Sequence, residues 1–101
     1  MNRRDYLAGA LALLTIIGCG GYPEVSPAAY EMAKTLSTVC NLQNDQQLQR
    51  FRTLIDDKLS AGEITASEHA MLSRIADMAE SGDWQNAELE TRQMMLDQAG
   101  R

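Results

Sequence analysis

Leu59-Ser60-Ala61-Gly62-Glu63-Ile64-Thr65-Ala66-Ser67-Glu68 holds a helix stop and a helix start back to back. Ser60-Ala61-Gly62 closes one periodic segment, and Gly62 suits the left-handed residue that follows a helix C-terminus. Thr65 and Glu68 then spell a capping box: the hydroxyl takes the amide three residues on, and the carboxylate reaches back. Ile64, just before the cap, is placed to pack on the first turn. A helix that stops and restarts across so short a loop must lay its second half antiparallel to its first.

The same punctuation recurs outward from this hairpin. Upstream, Leu48, Phe51, Leu54, Ile55 and Leu59 share one face of a helix expected over 45–60, with Arg52 and Asp56 as an i,i+4 ion pair on its outer side. Before it, Ser26-Pro27 supplies a hydroxyl cap and a first-turn proline for a helix over 27–41. Ala29, Ala33, Leu36 and Cys40 form its stripe, widened by Met32 and Val39, and residues 41–44 break it. Downstream, Met71, Leu72, Ile75, Met78 and Ala79 mark a helix over 66–80, closed by Glu80-Ser81-Gly82. Asp83 is read as the cap of a fourth helix over 84–98, with Trp84, Ala87, Thr91, Met94 and Met95. No stretch alternates with period two for long enough to be a strand. The fold class is therefore all-α: a small antiparallel four-helix up-down bundle, or a pair of helical hairpins, over residues 26–101.

The N-terminal quarter reads differently. Arg3 and Arg4 make a positive start, and Leu7 to Gly18 is a charge-free run too short to span a bilayer, which takes about 20 apolar residues. The run ends in Ile16-Ile17-Gly18-Cys19, which resembles the lipobox of bacterial lipoproteins. That resemblance implies that residues 1–18 are a signal peptide recognised through Ile16, Ile17 and Gly18. It also implies that Cys19 receives a diacylglyceryl group and often a further acyl chain such as palmitate. Two or three chains, at about 0.8 kcal/mol per buried methylene, anchor durably. Residues 19–25 then make a short tether, and the implied location is the bacterial cell envelope, with the outer membrane favoured by Gly20 if the cell is Gram-negative. Arg3-Arg4-Asp5-Tyr6-Leu7 also resembles the twin-arginine export motif.

Charge and cysteine usage narrow the rest. The net charge of −5 becomes −6 without Arg3, Arg4 and Asp5, a surface that repels phosphates, so no nucleic-acid partner is expected. With Cys19 lipidated, Cys40 is left as a single thiol on an apolar stripe, expected to be buried and inert, with an intermolecular disulfide as the alternative.

Several constellations are weak on their own chemistry. Asp57 to Glu68 has the length of an EF-hand loop, but its third and fifth positions are Leu59 and Ala61, which offer calcium no side-chain oxygen. Leu54 to Leu72 resembles the hairpin of the short C-terminal domain called SHOCT through Gly62, Ile64, Thr65 and Glu68, but carries His69 where that family prefers Phe. Ser81 to Ala87 resembles a tetratricopeptide turn without a second copy. His69 has no nucleophile or acid at useful spacing, so no catalytic residue, cofactor or metal ligand is assigned. The methionines sit at core spacing rather than in a soft-metal cluster.

What remains is a non-catalytic, lipid-anchored interaction module. Met71, Met78, Trp84, Met94 and Met95 are its expected adaptable apolar surface. The expected partners are a membrane, through the lipid, and an envelope protein or a second copy of the chain. An envelope carrier of a small ligand or metal, using a pocket between helices, is the alternative.

Overall fold

The computed structural model describes residues 21–99. Helix α1 spans Pro27–Leu42 and starts where the Ser26 hydroxyl accepts the Ala29 amide at 3.2 Å. It runs one residue past its expected end because Gln43, without being glycine, takes the left-handed conformation at φ 53° and returns its N–H to the carbonyls of Val39 and Cys40. Helix α2, Asp45–Ser60, follows at once, with the Asn44 side chain accepting the Gln47 amide at 2.9 Å.

The stop between α2 and α3 is the one the sequence spells. Gly62 sits at φ 76°, its N–H bonds the Leu59 carbonyl, and the Glu63 N–H bonds the Lys58 carbonyl, the paired bonds of a Schellman ending. Helix α3, Ala66–Glu80, opens with both halves of the capping box formed, at 3.0 Å and 2.9 Å. It closes in the same way, with Gly82 at φ 98°.

Helix α4, Trp84–Leu96, starts at the expected residue but without the expected side-chain cap, and it ends early. Asp83 is the flanking residue, but at ψ 59° it lacks the extended backbone that would carry its carboxylate over the first-turn amides. That carboxylate instead accepts the Asn86 side-chain amide. At the other end α4 stops at Leu96 rather than 98. The N–H groups of Gln98 and Ala99 tighten onto the carbonyls of Met95 and Leu96, and the Gln98 side chain turns toward residues 23–25.

The helices form a four-helix bundle with no strand among the described residues. Residue pairings fix the directions. Tyr22 and Val25, before α1, meet Asp97 and Gln98, after α4, so these two helices are antiparallel. Ser26 meets Glu68, so α1 and α3 start at the same end. Arg52 meets Asp77 and Asp56 meets His69, so α2 and α3 are antiparallel.

The α1–α4 interface is the most extensive, and α1 also touches α3 across the diagonal, whereas α2 and α4 do not meet. Side-chain size explains the asymmetry. Ala29 and Ala33 on α1, Ala76 and Ala79 on α3, and Ala87 on α4 are all fully buried, and alanines let backbones approach. The α2 side is filled instead by Leu48, Phe51 and Ile55. Full burial of Leu36, Leu48, Ile55, Leu72, Ile75 and Met94 stabilises the bundle by roughly 1.5–3 kcal/mol each before entropy is charged.

One expected pair is corrected. Arg52 does not hold Asp56 along α2; its guanidinium crosses to Asp77 and Glu80 of α3, the latter at 2.9 Å. Asp56 is taken by His69 Nε2 at 2.7 Å. Arg52 faces α3 and is only one-quarter exposed, so two carboxylates across the groove outcompete one on its own helix.

Candidate functional site

The segment expected to be a free tether is, from Gly21 on, part of the bundle. Gly21 adopts φ 69°, and a Cβ there would sit 2.3 Å from a carboxylate oxygen of Asp97, so the close approach of that carboxylate requires glycine. The Tyr22 amide donates to the same carboxylate at 2.8 Å. The Tyr22 ring is buried, and its hydroxyl donates to Glu90 of α4 while accepting from the Arg74 guanidinium of α3 at 2.8 Å. Arg74 also lies 5.9 Å from the ring centroid, at the outer limit of a cation–π contact.

Burial pushes the Tyr22 phenol up to about 12, the bond to Glu90 adds to it, and Arg74 opposes both. The hydroxyl therefore keeps the proton it donates to Glu90 throughout the neutral range. Further along, the Val25 amide donates to Gln98 Oε1 at 3.0 Å, and Gln98 Nε2 donates to the Pro23 carbonyl at 2.8 Å. Residues 21–25 are thus a strap bonded at both ends and plugged in the middle by an aromatic ring.

A mainly apolar groove of about 400 Å³ opens beside the strap, lined by Gly21, Tyr22, Pro23, Met71, Arg74 and Glu90. A smaller one, about 220 Å³, lies between α1 and α2 with Val39, Phe51 and Leu54 as its apolar wall and Gln47 and Arg50 on its polar side.

The five residues expected to share an interaction surface are not gathered on one. Met94 is fully buried among the core side chains, and it is corrected to a core residue. Met71 reaches the strap groove. Met78 and Trp84 flank the α3–α4 turn at the far end of the bundle, and Met95 is near the strap end; all three are half-buried against the core. Cys40 is 1 % exposed, and burial followed by the charge of Glu88 pushes its thiol up to about 11. Ile16, Ile17, Gly18 and Cys19 lie outside the described residues.

The residues shared with the EF-hand and SHOCT patterns all have local duties. Gly62 is the helix-ending residue, Ile64 is buried under the turn, and Thr65 and Glu68 bond each other's backbone. Glu68 also accepts the Ser26 amide at 2.7 Å and the Ser26 hydroxyl at 3.0 Å. Burial raises its carboxyl, but the bonds from Thr65 and Ser26 outweigh that and leave it below its ordinary 4.5. Its oxygens are committed to joining two helix starts. Among the described residues no three His, Cys, Asp or Glu side chains cluster as a metal site, and no helix is long and apolar enough to cross a membrane.

No protein-family model matches the chain, and neither does any curated protein or solved structure at a significant level.

The strap contacts were missed in the sequence, although one signal stood in plain view. A passive tether has no use for an aromatic ring, and Gly-Gly-Tyr-Pro places one between residues that shape the backbone.

Proposed function

We propose that this chain is a bacterial lipoprotein, anchored through Cys19, whose helical bundle is a protein-interaction module held at an envelope membrane. The observation that carries the reading is the sequence of the leader: Arg3-Arg4, then a charge-free run, then Ile16-Ile17-Gly18-Cys19. The bundle supplies a small stable body, and several of its side-chain bonds join one helix to another, Ser26 to Glu68 and Arg52 to Asp77 among them. The test is expression in a bacterium fed an alkyne-bearing palmitate analogue. The wild-type chain takes up label and fractionates with membranes, whereas Cys19→Ala is unlabelled and loses the membrane fraction. A Cys19→Ala chain that stays membrane-bound sinks the anchoring.

A second reading, an envelope carrier of a small ligand, is favoured by the apolar groove of about 400 Å³ beside the strap. A bound apolar molecule that co-purifies with the wild type and is lost on Met71→Arg would replace the interaction reading with this one.

A further inference from the structure

The strap's backbone is bonded at one end of the bundle, with the Tyr22 side chain reaching along it to Arg74 and Glu90, and this gives the molecule a polarity that a free tether would not. Gly21 and Tyr22 meet Asp97 just past the C-terminus of α4, and Ser26, which ends the strap, meets Glu68 at the start of α3. The turn over residues 61–65 lies at this same end, because α3 begins there. The opposite end carries the turns over 43–44 and 81–83.

Covalent geometry limits the rest. Cys19 is two residues from Gly21 in the sequence, and consecutive Cα atoms are about 3.8 Å apart, so a leash of two residues spans at most about 8 Å. Leu96, on the last turn of α4 beside the strap, is 66 % exposed. Trp84 begins the same helix, about 18 Å away at 1.5 Å per residue, and is the only tryptophan of the chain.

We propose that the docked strap fixes the bundle's polarity on the bilayer: the end bearing the strap, the 61–65 turn and Leu96 rests on the lipid surface, and the end bearing Trp84 points away. This rests on lipidation of Cys19 and specifies which surface that anchor presents. Charge does not draw this end down. Glu24, Glu63 and Asp97 are at the strap end, with Lys58 bonded to Glu63 at 2.9 Å, so the short leash alone sets the approach. The lipid partner is accordingly an uncharged surface.

The experiment uses the intact lipoprotein in phosphatidylcholine vesicles containing lipid with a quenching group near the headgroup. Tryptophan fluorescence reports from position 84 in the wild type, and from position 96 in a Trp84→Phe, Leu96→Trp chain. The position-96 probe is expected to be quenched at least about threefold more strongly. An insertion of about 12 Gly and Ser residues between Gly20 and Gly21, spanning roughly 20 Å, leaves the bundle intact and should bring position 96 down to the level of position 84. Equal quenching at the two positions, stronger quenching at 84, or indifference to the insertion overturns the polarity. A chain that does not float with vesicles at all overturns the anchor itself, and the polarity with it.

Discussion

Glu68 is the residue on which two helix starts depend, and its removal should be felt far beyond one cap. Its carboxylate accepts the Ser26 amide at 2.7 Å, the Ser26 hydroxyl at 3.0 Å and the Thr65 amide at 2.9 Å, on a side chain only 7 % exposed. Hydrogen bonds to a charged group contribute about 1.5–3 kcal/mol each, but bonds to one carboxylate are not additive, and water partly replaces a truncated side chain. Glu68→Ala should therefore cost about 2–4 kcal/mol. Domains of this size hold roughly 0.05–0.15 kcal/mol per residue, so that is a large share of the total. Glu68→Gln should cost less: the amide oxygen still accepts Thr65, but its NH₂ faces the Ser26 N–H.

The effect must also depend on pH, with a definite sign. The folded carboxyl lies below 4.5, so its contribution is complete above the unfolded value and is lost as the pH falls through the folded one. Urea unfolding followed by far-UV circular dichroism, on the chain without its leader, reads both quantities. The gap between wild type and Glu68→Ala should be widest above about pH 5 and should shrink as acid protonates Glu68 in the wild type. A gap under about 0.5 kcal/mol at pH 7, or one undiminished in acid, refutes the reasoning.

Two further perturbations test the turn and the core. Gly62→Ala meets no atom within 4 Å of the new Cβ, so its cost is the left-handed backbone alone, about 1–2 kcal/mol, and Gly62→Asn should recover part of it on thermal unfolding. Cys40, buried and with its thiol raised to about 11, should resist an aromatic disulfide reagent at pH 8 in the native state and react fully in urea; rapid native labelling would refute its burial.

How much of this was legible follows from the range of each interaction. Gly62, Thr65 and Ser26-Pro27 act on backbone groups within four residues, so their identities alone locate helix ends, and all four helices start at the expected residues, 27, 45, 66 and 84. From the sequence, α2 is expected to start at Asp45, where the helix does begin, but its cap Asn44 goes unnamed; Asp83 shows the converse failure, a capping residue whose backbone does not deliver its side chain. Arg52 marks where local reasoning stops. An acceptor four residues away was visible in the sequence, whereas the acceptors on α3, 25 and 28 positions along, exist only once α2 and α3 are in register. The site depends on the same kind of contact: Tyr22 to Glu90 spans 68 positions and Ser26 to Glu68 spans 42.

Ser26 and Glu68 are the instructive case, because each is legible for one task and silent about another. Ser26 caps α1, Glu68 closes the box of α3, and these two local duties hold both side chains in place before they meet. The contact between them then costs little additional ordering, which is the physical advantage of building a tertiary link from two caps. It also ties the strap to the hairpin with which α3 begins. Whatever pulls on residues 21–25 is therefore resisted by the starts of two helices rather than by one flexible end.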